Sequence, residues 1–124
     1  MNVYDYHNLI ENNPINIATV NKDNKPNLAV ASNVRVIEEN KLVISVNEMN
    51  NTPNNIISNP NIVITVFNKE WKGLRLFGEA KFYTSGEYCD FCYETFYKGR
   101  ISPTGLTRPK GAIVVEINKL EELK

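Results

Sequence analysis

One histidine, one tryptophan and two cysteines in 124 residues leave this chain short of the side chains most chemistry uses. His7 lies near the amino terminus and makes a poor axial ligand for haem. No carboxylates converge with it into an acid–base pair. Cys89 and Cys92 form CDFC, which could serve as a redox dithiol or as half of a zinc site. No second pair exists, and CDFC falls inside a helical pattern rather than at a helix start after a strand. The pair therefore reads as structural, and no metal is expected. Charge excess is also lacking: 14 basic and 14 acidic residues cancel, which leaves no footprint for nucleic acid or an anionic membrane. No apolar run approaches a membrane span or a signal segment, and the opening MNVYDYHNLI is acidic and aromatic. The expectation is a cytoplasmic protein. A hydrophobic content of 42% and a charged content of 23% fit a single globular domain over residues 1–124.

What the chain does have is a stretch, LVISVNEMNNTPNNII at Leu42–Ile57, that reads as strand, polar turn and helix start. Leu42, Val43, Ile44 and Val46 make a β-branched run. Thr52 and Pro53 resemble an N-cap followed by the first helical position. Unpaired N–H groups and the helix dipole make such a start a ready anion site. Around it the pattern predicts a helix at Asp5–Asn12 ended by Pro14, and strands at Ile15–Val20, Pro26–Ser32, Val34–Ile37, Lys41–Val46, Ile62–Phe67, Leu74–Tyr83 and Ala112–Ile117. The Val34 segment either continues its predecessor or stands alone. A second helix is expected at Thr52–Ser58, and a third from a Ser85 cap to about Lys98, with Tyr88, Phe91, Cys92, Thr95 and Phe96 at helical spacing. Gly78 and Ala80 are small enough for a close approach or a barrel bend. Arg100–Lys110 carries turn residues and three cations, and Leu120 and Leu123 close a short tail. Hairpin-linked strands with helices inserted late mean an antiparallel barrel rather than a βαβ fold. A barrel of the oligonucleotide-binding type is disfavoured by the zero net charge and the lack of a basic–aromatic stripe.

From Ile15 to Phe82 the order of features resembles the FMN-binding split barrels, the pyridoxamine-phosphate-oxidase-like superfamily, and most of all their small single-domain members. The resemblance rests on KPNLAVAS in the first hairpin, LVISV with its turn and short helix, SNPNIVITVF, and GLRLFGEAKFY. It implies a mainly β fold, a six-stranded antiparallel Greek-key split barrel with two to three peripheral helices. It also implies a homodimer with FMN in grooves between protomers. Carried onto this sequence, Ser45, Val46 and Asn47 line the isoalloxazine or ribityl side, while Asn51 and Thr52 fall at the phosphate. The small FMN-binding relatives carry Lys where this chain has Asn51, and the oxidases a phosphate-binding Arg where it has Val30. Losing one charge-assisted bond costs roughly 1.5–3 kcal/mol, one or two decades of affinity. Arg35 is the expected replacement charge, with Lys72 second. Gly73 stands where the oxidases place a flavin-contacting Gln, with Arg75 the next polar side chain. Trp71 could stack on the flavin from the partner subunit.

The functional expectation is an FMN-binding oxidoreductase or electron-transfer protein, in which the flavin does the chemistry. The alternative is a non-catalytic flavin-binding module, or a barrel whose ligand has changed. Turnover of pyridoxamine phosphate is not carried over, because the substrate-phosphate residues of the oxidases find no match. A dimer is also expected because the aromatic helix at 85–98 carries more apolar surface than a small barrel can cover.

Overall fold

The computed structural model describes residues 2–100 and 105–123. Period-two alternation decides the strands. In β1 (Ile15–Val20), Ile15, Ile17 and Thr19 are buried while Asn16, Ala18 and Val20 are half-exposed. The chain continues through β2 (Pro26–Ala31), β3 (Val34–Ile37), β4 (Lys41–Val46), β5 (Asn61–Phe67), β6 (Gly73–Tyr83) and β7 (Gly111–Leu123). Helix α1 (His7–Glu11) follows a 3₁₀ turn at Val3–Tyr6, α2 (Asn51–Ser58) joins β4 to β5, and α3 (Glu87–Cys92) runs into a π-helical segment, Tyr93–Tyr97.

The strands form one antiparallel sheet in the order β2-β1-β5-β6-β7-β4-β3. The split-barrel class thus holds with seven strands rather than six. The added length lies in β7, expected to stop at Ile117 but paired with β6 out to Leu123. Leu120 and Leu123 are therefore strand residues, not a tail. A register shift falls between Phe77 and Gly78, where a Cβ on Gly78 would run into the Glu116 carbonyl oxygen. This is the close approach that the small residues of β6 implied.

The inner face of the sheet holds the main core, with Ile15, Ile17, Ile44, Ile64, Leu76, Ile113 and Ile117 all buried. Fully burying a side chain of this size contributes about 1.5–3 kcal/mol. A smaller cluster lies on the opposite face of β4 and β7, where Val43, Ala112 and Val114 meet Cys92. Both faces of β4 are covered as a result, and its run from Leu42 to Val46 is buried without a break. The aromatic helix caps this second cluster with Tyr88, Phe91 and Phe96. It is thus half-buried within one protomer, contrary to the expectation of an uncovered helix. The large exposed apolar side chains lie elsewhere, chiefly Leu28 and Val30 on β2, Ile57 and Trp71.

Two helix caps differ from expectation. Asn50, not Thr52, is the N-cap of α2, and no side chain caps the helix. Thr52 and Pro53 lie inside the first turn, where a Pro needs no N–H partner. For α3 the N-cap is Gly86 at φ 99°, not Ser85, a conformation that suits glycine. The edge strand β3 is closed by Glu11, whose carboxylate accepts the Val36 N–H at 2.8 Å.

Candidate functional site

The candidate residues divide between the two ends of β6. Ser45 and Tyr83 both pair with Ala112, which sets the end of β4 beside the end of β6. The Pro60 carbonyl, just after α2, accepts the Ala80 N–H at 2.8 Å, so α2 belongs to the same end. Gly73 and Trp71 sit at the other end, roughly 33 Å of strand away at about 3.3 Å per residue.

At the end of β4 the side chains of Leu42, Ile44 and Val46 enter the main core, so Ser45 and Asn47 fall on the opposite face. Val46 can therefore offer only backbone to a ligand, and its carbonyl already accepts the Lys110 N–H at 2.8 Å. Ser45 is buried, and its hydroxyl donates to Asn47 Oδ1 at 3.3 Å. The Tyr97 hydroxyl donates to the same oxygen. Asn47 is half-buried. Among the described residues no hydrogen-bond partner is found for its Nδ2. Beneath lies Cys92, whose thiol burial pushes up to about 11, with the Ser45 hydroxyl opposing the rise. Burial also raises the Tyr97 phenol above its usual range. Both groups stay protonated at neutral pH. As a reactive thiolate Cys92 is thereby disfavoured, and the Cys89 thiol, raised by burial too, donates to the Tyr83 carbonyl at 3.2 Å.

At the start of α2, Thr52 is buried and its hydroxyl oxygen accepts from Asn27 Nδ2 at 3.2 Å. One turn on, Asn55 Nδ2 donates to Thr19 at 3.1 Å. The two pairs tie α2 to the first hairpin. Asn51 is exposed. The first N–H groups of α2 carry no side-chain cap, which leaves positive dipole ends at this opening.

The expected replacement charge, Arg35, lies on β3 opposite Val43, with its guanidinium over the Phe96 ring at 4.8 Å and Nη1 donating to the Val34 carbonyl at 2.9 Å. It is tied to the aromatic helix rather than to α2. The structure adds two cations near the end of β4. Lys110 follows from its backbone bond to Val46, and Arg108 lies over the Tyr93 ring at 4.8 Å. Residues 101–104 of the same loop fall outside the described residues.

At the far end, Trp71 is 75% exposed and sits at φ 65°. It meets Phe67 edge to face at 6.1 Å. Gly73 is buried, and a Cβ there would lie 2.5 Å from the Phe67 ring. The Gly is needed for packing. Trp71 and Lys72 border a cleft of about 620 Å³ walled by Tyr6, Leu9, Leu74 and Leu123. At its edge the Tyr6 hydroxyl donates to Glu122 at 2.6 Å, a bond that raises the phenol's pKa.

The sequence matches the family model described as pyridoxamine 5'-phosphate oxidase over residues 7–119. The chain belongs to this family. An uncharacterized protein of Methanocaldococcus jannaschii is 33% identical over 117 residues, covering 93% of this chain and 76% of the relative. Among solved structures, HupZ of Group A Streptococcus superposes with a TM-score of 0.86 at 24% identity, covering 99% of this chain and 94% of that one. An FMN-binding protein of Syntrophomonas wolfei gives 0.77 at 21%, covering 98% and 86%. HutZ, the heme storage protein of Vibrio cholerae, gives 0.67 at 17%, covering 90% and 86%. At these identities the structural likenesses establish the fold alone.

Asn27, Tyr97, Arg108 and Lys110 were missed as site residues. The loop cations were visible as a cluster in RISPTGLTRPK, but nothing local linked that loop to β4. Tyr97 was hidden because helical spacing favours Phe96 for the buried stripe.

Proposed function

We propose that the protein is an FMN-binding flavoprotein, an oxidoreductase or electron carrier, that works as a homodimer. The observation that carries the reading is the division of the candidate residues between the two ends of β6, each end with half of what a flavin needs. Asn47, Asn51 and the uncapped N–H groups of α2 offer donors for a phosphate and for polar ring edges, while Ser45 and Thr52, both buried, hold Asn47 and α2 in place. Trp71 beside an apolar cleft offers a planar aromatic for the ring. A two-fold axis crossing β6 near Phe77 exchanges the ends and brings Trp71 and Gly73 of one protomer to the β4 end of its partner. Leu28, Ala18, Val63 and Phe77 form a cross-strand apolar row on the outer sheet face, with Leu28 67% exposed, as a surface for such pairing.

The residues fit FMN through amides and hydroxyls more than through charge. Thr52, buried with its oxygen accepting from Asn27, would fix the start of α2, whose uncapped N–H groups would meet a phosphate. Lys110, whose N–H bonds the Val46 carbonyl, would supply the charge that Asn51 lacks, with Arg108 two residues before it; Lys72 would come from the partner. Bound FMN supplies hydride or single-electron transfer through its ring. The chain's own part is to bind, orient and exclude water, and we assign it to the cytoplasm.

The second reading, a flavin-binding module without turnover, is favoured by Asn51 and by the exposed Val30. A haem reading gains nothing from His7, whose Nδ1 lies 2.9 Å from the Tyr4 carbonyl and whose ring stacks on Tyr4. The test is the absorbance spectrum of the purified protein with added FMN, together with light scattering. Flavin bands and a dimer are expected, and a colourless monomer that takes up no FMN sinks the proposal. Oxidation of reduced nicotinamide with an acceptor present then separates enzyme from carrier.

A further inference from the structure

The Tyr93–Tyr97 segment is π-helical, with the Lys98 N–H reaching the Tyr93 carbonyl at 2.9 Å. Such turns are rare and concentrate at functional sites. Here the effect is one of register. Cys92 is fully buried against the sheet. Ordinary helical spacing brings Phe96, four residues on, to the same stripe. The wider turn brings Tyr97 instead, 4% exposed, and leaves Phe96 half-exposed under the Arg35 guanidinium. A phenol thereby replaces a phenyl at the point where Ser45 and Asn47 leave β4.

Burying a phenol is costly unless its hydroxyl is paired. The partner is Asn47 Oδ1, which also accepts the Ser45 hydroxyl. An amide oxygen has two lone pairs, and both are taken. With the amide turned over, Nδ2 would donate to the two hydroxyls, whose own hydrogens would then need other acceptors. The half left over is Nδ2, which has no partner among the described residues at the end of β4.

We propose that Tyr97, seconded by Ser45, is a positioning residue that holds the Asn47 side chain with Nδ2 outward, as a fixed hydrogen-bond donor to a carbonyl or ring-nitrogen acceptor of a bound flavin. The acceptor's identity rests on the flavin reading; the lock is a property of the free protein. A donor held in place before the ligand arrives costs no ordering entropy on binding.

NMR of the ¹⁵N-labelled Asn47 side-chain amide, in wild type and in Tyr97→Phe, tests the lock. One sharp NH₂ pair, displaced from free-amide shifts, is expected in wild type. In Tyr97→Phe the pair moves toward free-amide shifts or broadens. FMN and riboflavin affinities, from fluorescence quenching, then fall together by about three- to tenfold. The visible bands of bound flavin shift in Tyr97→Phe in the same direction as in Asn47→Ala, a change that loosened packing alone would not produce. Ser45→Ala gives the same pattern at smaller amplitude, and serves if Tyr97→Phe folds poorly. Unchanged Asn47 signals and flavin bands in both variants, with flavin still bound, overturn the lock. Failure of the wild type to take up either flavin overturns the assigned acceptor and the flavin reading together, while the Asn47 signals still decide the lock.

Discussion

Two hairpin turns of this protein share one geometry and differ at two residues, Asp23 against Glu70 and, more consequentially, Asn24 against Trp71. Asn21-Lys22-Asp23-Asn24-Lys25 joins β1 to β2, and Asn68-Lys69-Glu70-Trp71-Lys72 joins β5 to β6. In each the leading Asn accepts two backbone N–H groups through its side chain, from Asp23 and Lys25 at 2.8 and 3.0 Å and from Glu70 and Lys72 at 2.9 and 3.0 Å. In each the fourth residue is left-handed, Asn24 at φ 62° and Trp71 at φ 65°. Asn tolerates that conformation, whereas a bulky side chain does so at a cost of roughly 1–2 kcal/mol. The first turn is built for folding alone. The second keeps a large aromatic, three-quarters exposed, in a position that folding disfavours. The edge-to-face contact with Phe67 offsets part of that strain, and the proposed contact of Trp71 with a flavin would account for the rest.

The contrast can be broken most forcefully beside the second turn. Gly73 follows it in place of Pro26, and Gly73→Val would drive a side chain into the Phe67 ring and the Val66 carbonyl. A loss of about 3 kcal/mol in urea unfolding is expected, against little change for Pro26→Val on the edge strand. Next comes Asn24→Trp, which copies the second turn into the first. It should cost roughly 1–2 kcal/mol without altering flavin affinity, and a neutral result would remove the strain argument. The reverse change, Trp71→Asn, should be neutral or stabilising by up to about 1 kcal/mol while flavin affinity falls about three- to tenfold. Unaltered affinity by fluorescence titration would show that Trp71 does not meet the ligand.

The mildest effect concerns the other end of β6 and vanishes at neutral pH. Folding raises the Cys92 thiol from 9.0 to about 11 and raises the Tyr97 phenol as well. Folded protein then binds more protons than unfolded chain in that window, so stability is intact below pH 9 and declines as pH rises toward 11. Cys92→Ala should flatten the decline between pH 9 and 10 in chemical denaturation. An unchanged slope would mean that the thiol ionises without loss of the fold.

Strand boundaries were legible because they depend on alternation. Ile15–Val20 and Val34–Ile37 were read to the residue, since apolar side chains at every second position can bury one face only as strands, and Lys41–Val46 was read from its largely β-branched run. The family was legible too, from the order of turns, glycines and strands between Ile15 and Phe82. Less accessible was anything set by a distant partner. Asn118–Leu123 looks like a polar tail in isolation, yet it is strand because the length of β6 leaves N–H and C=O groups there to be paired. Arg75 with Glu121 at 3.1 Å, and Lys119 over the Phe77 ring at 5.2 Å, add side-chain pairs to that ladder.

The candidate site divides along the same line. By itself the sequence determined that amides and hydroxyls gather between Ser45 and Thr52, and that an anion site there lacks its cations. Tertiary structure decided which of those groups are available. It buried Thr52 against Asn27, committed Arg35 to Phe96, carried Arg108 and Lys110 to the end of β4, and set Trp71 and Gly73 a whole strand away. It also chose Tyr97 over Phe96, because the end of β4 offers the Tyr97 hydroxyl a partner in Asn47 that a helix in isolation does not have. Local pattern governs how each segment coils, while register across the sheet governs which side chains meet.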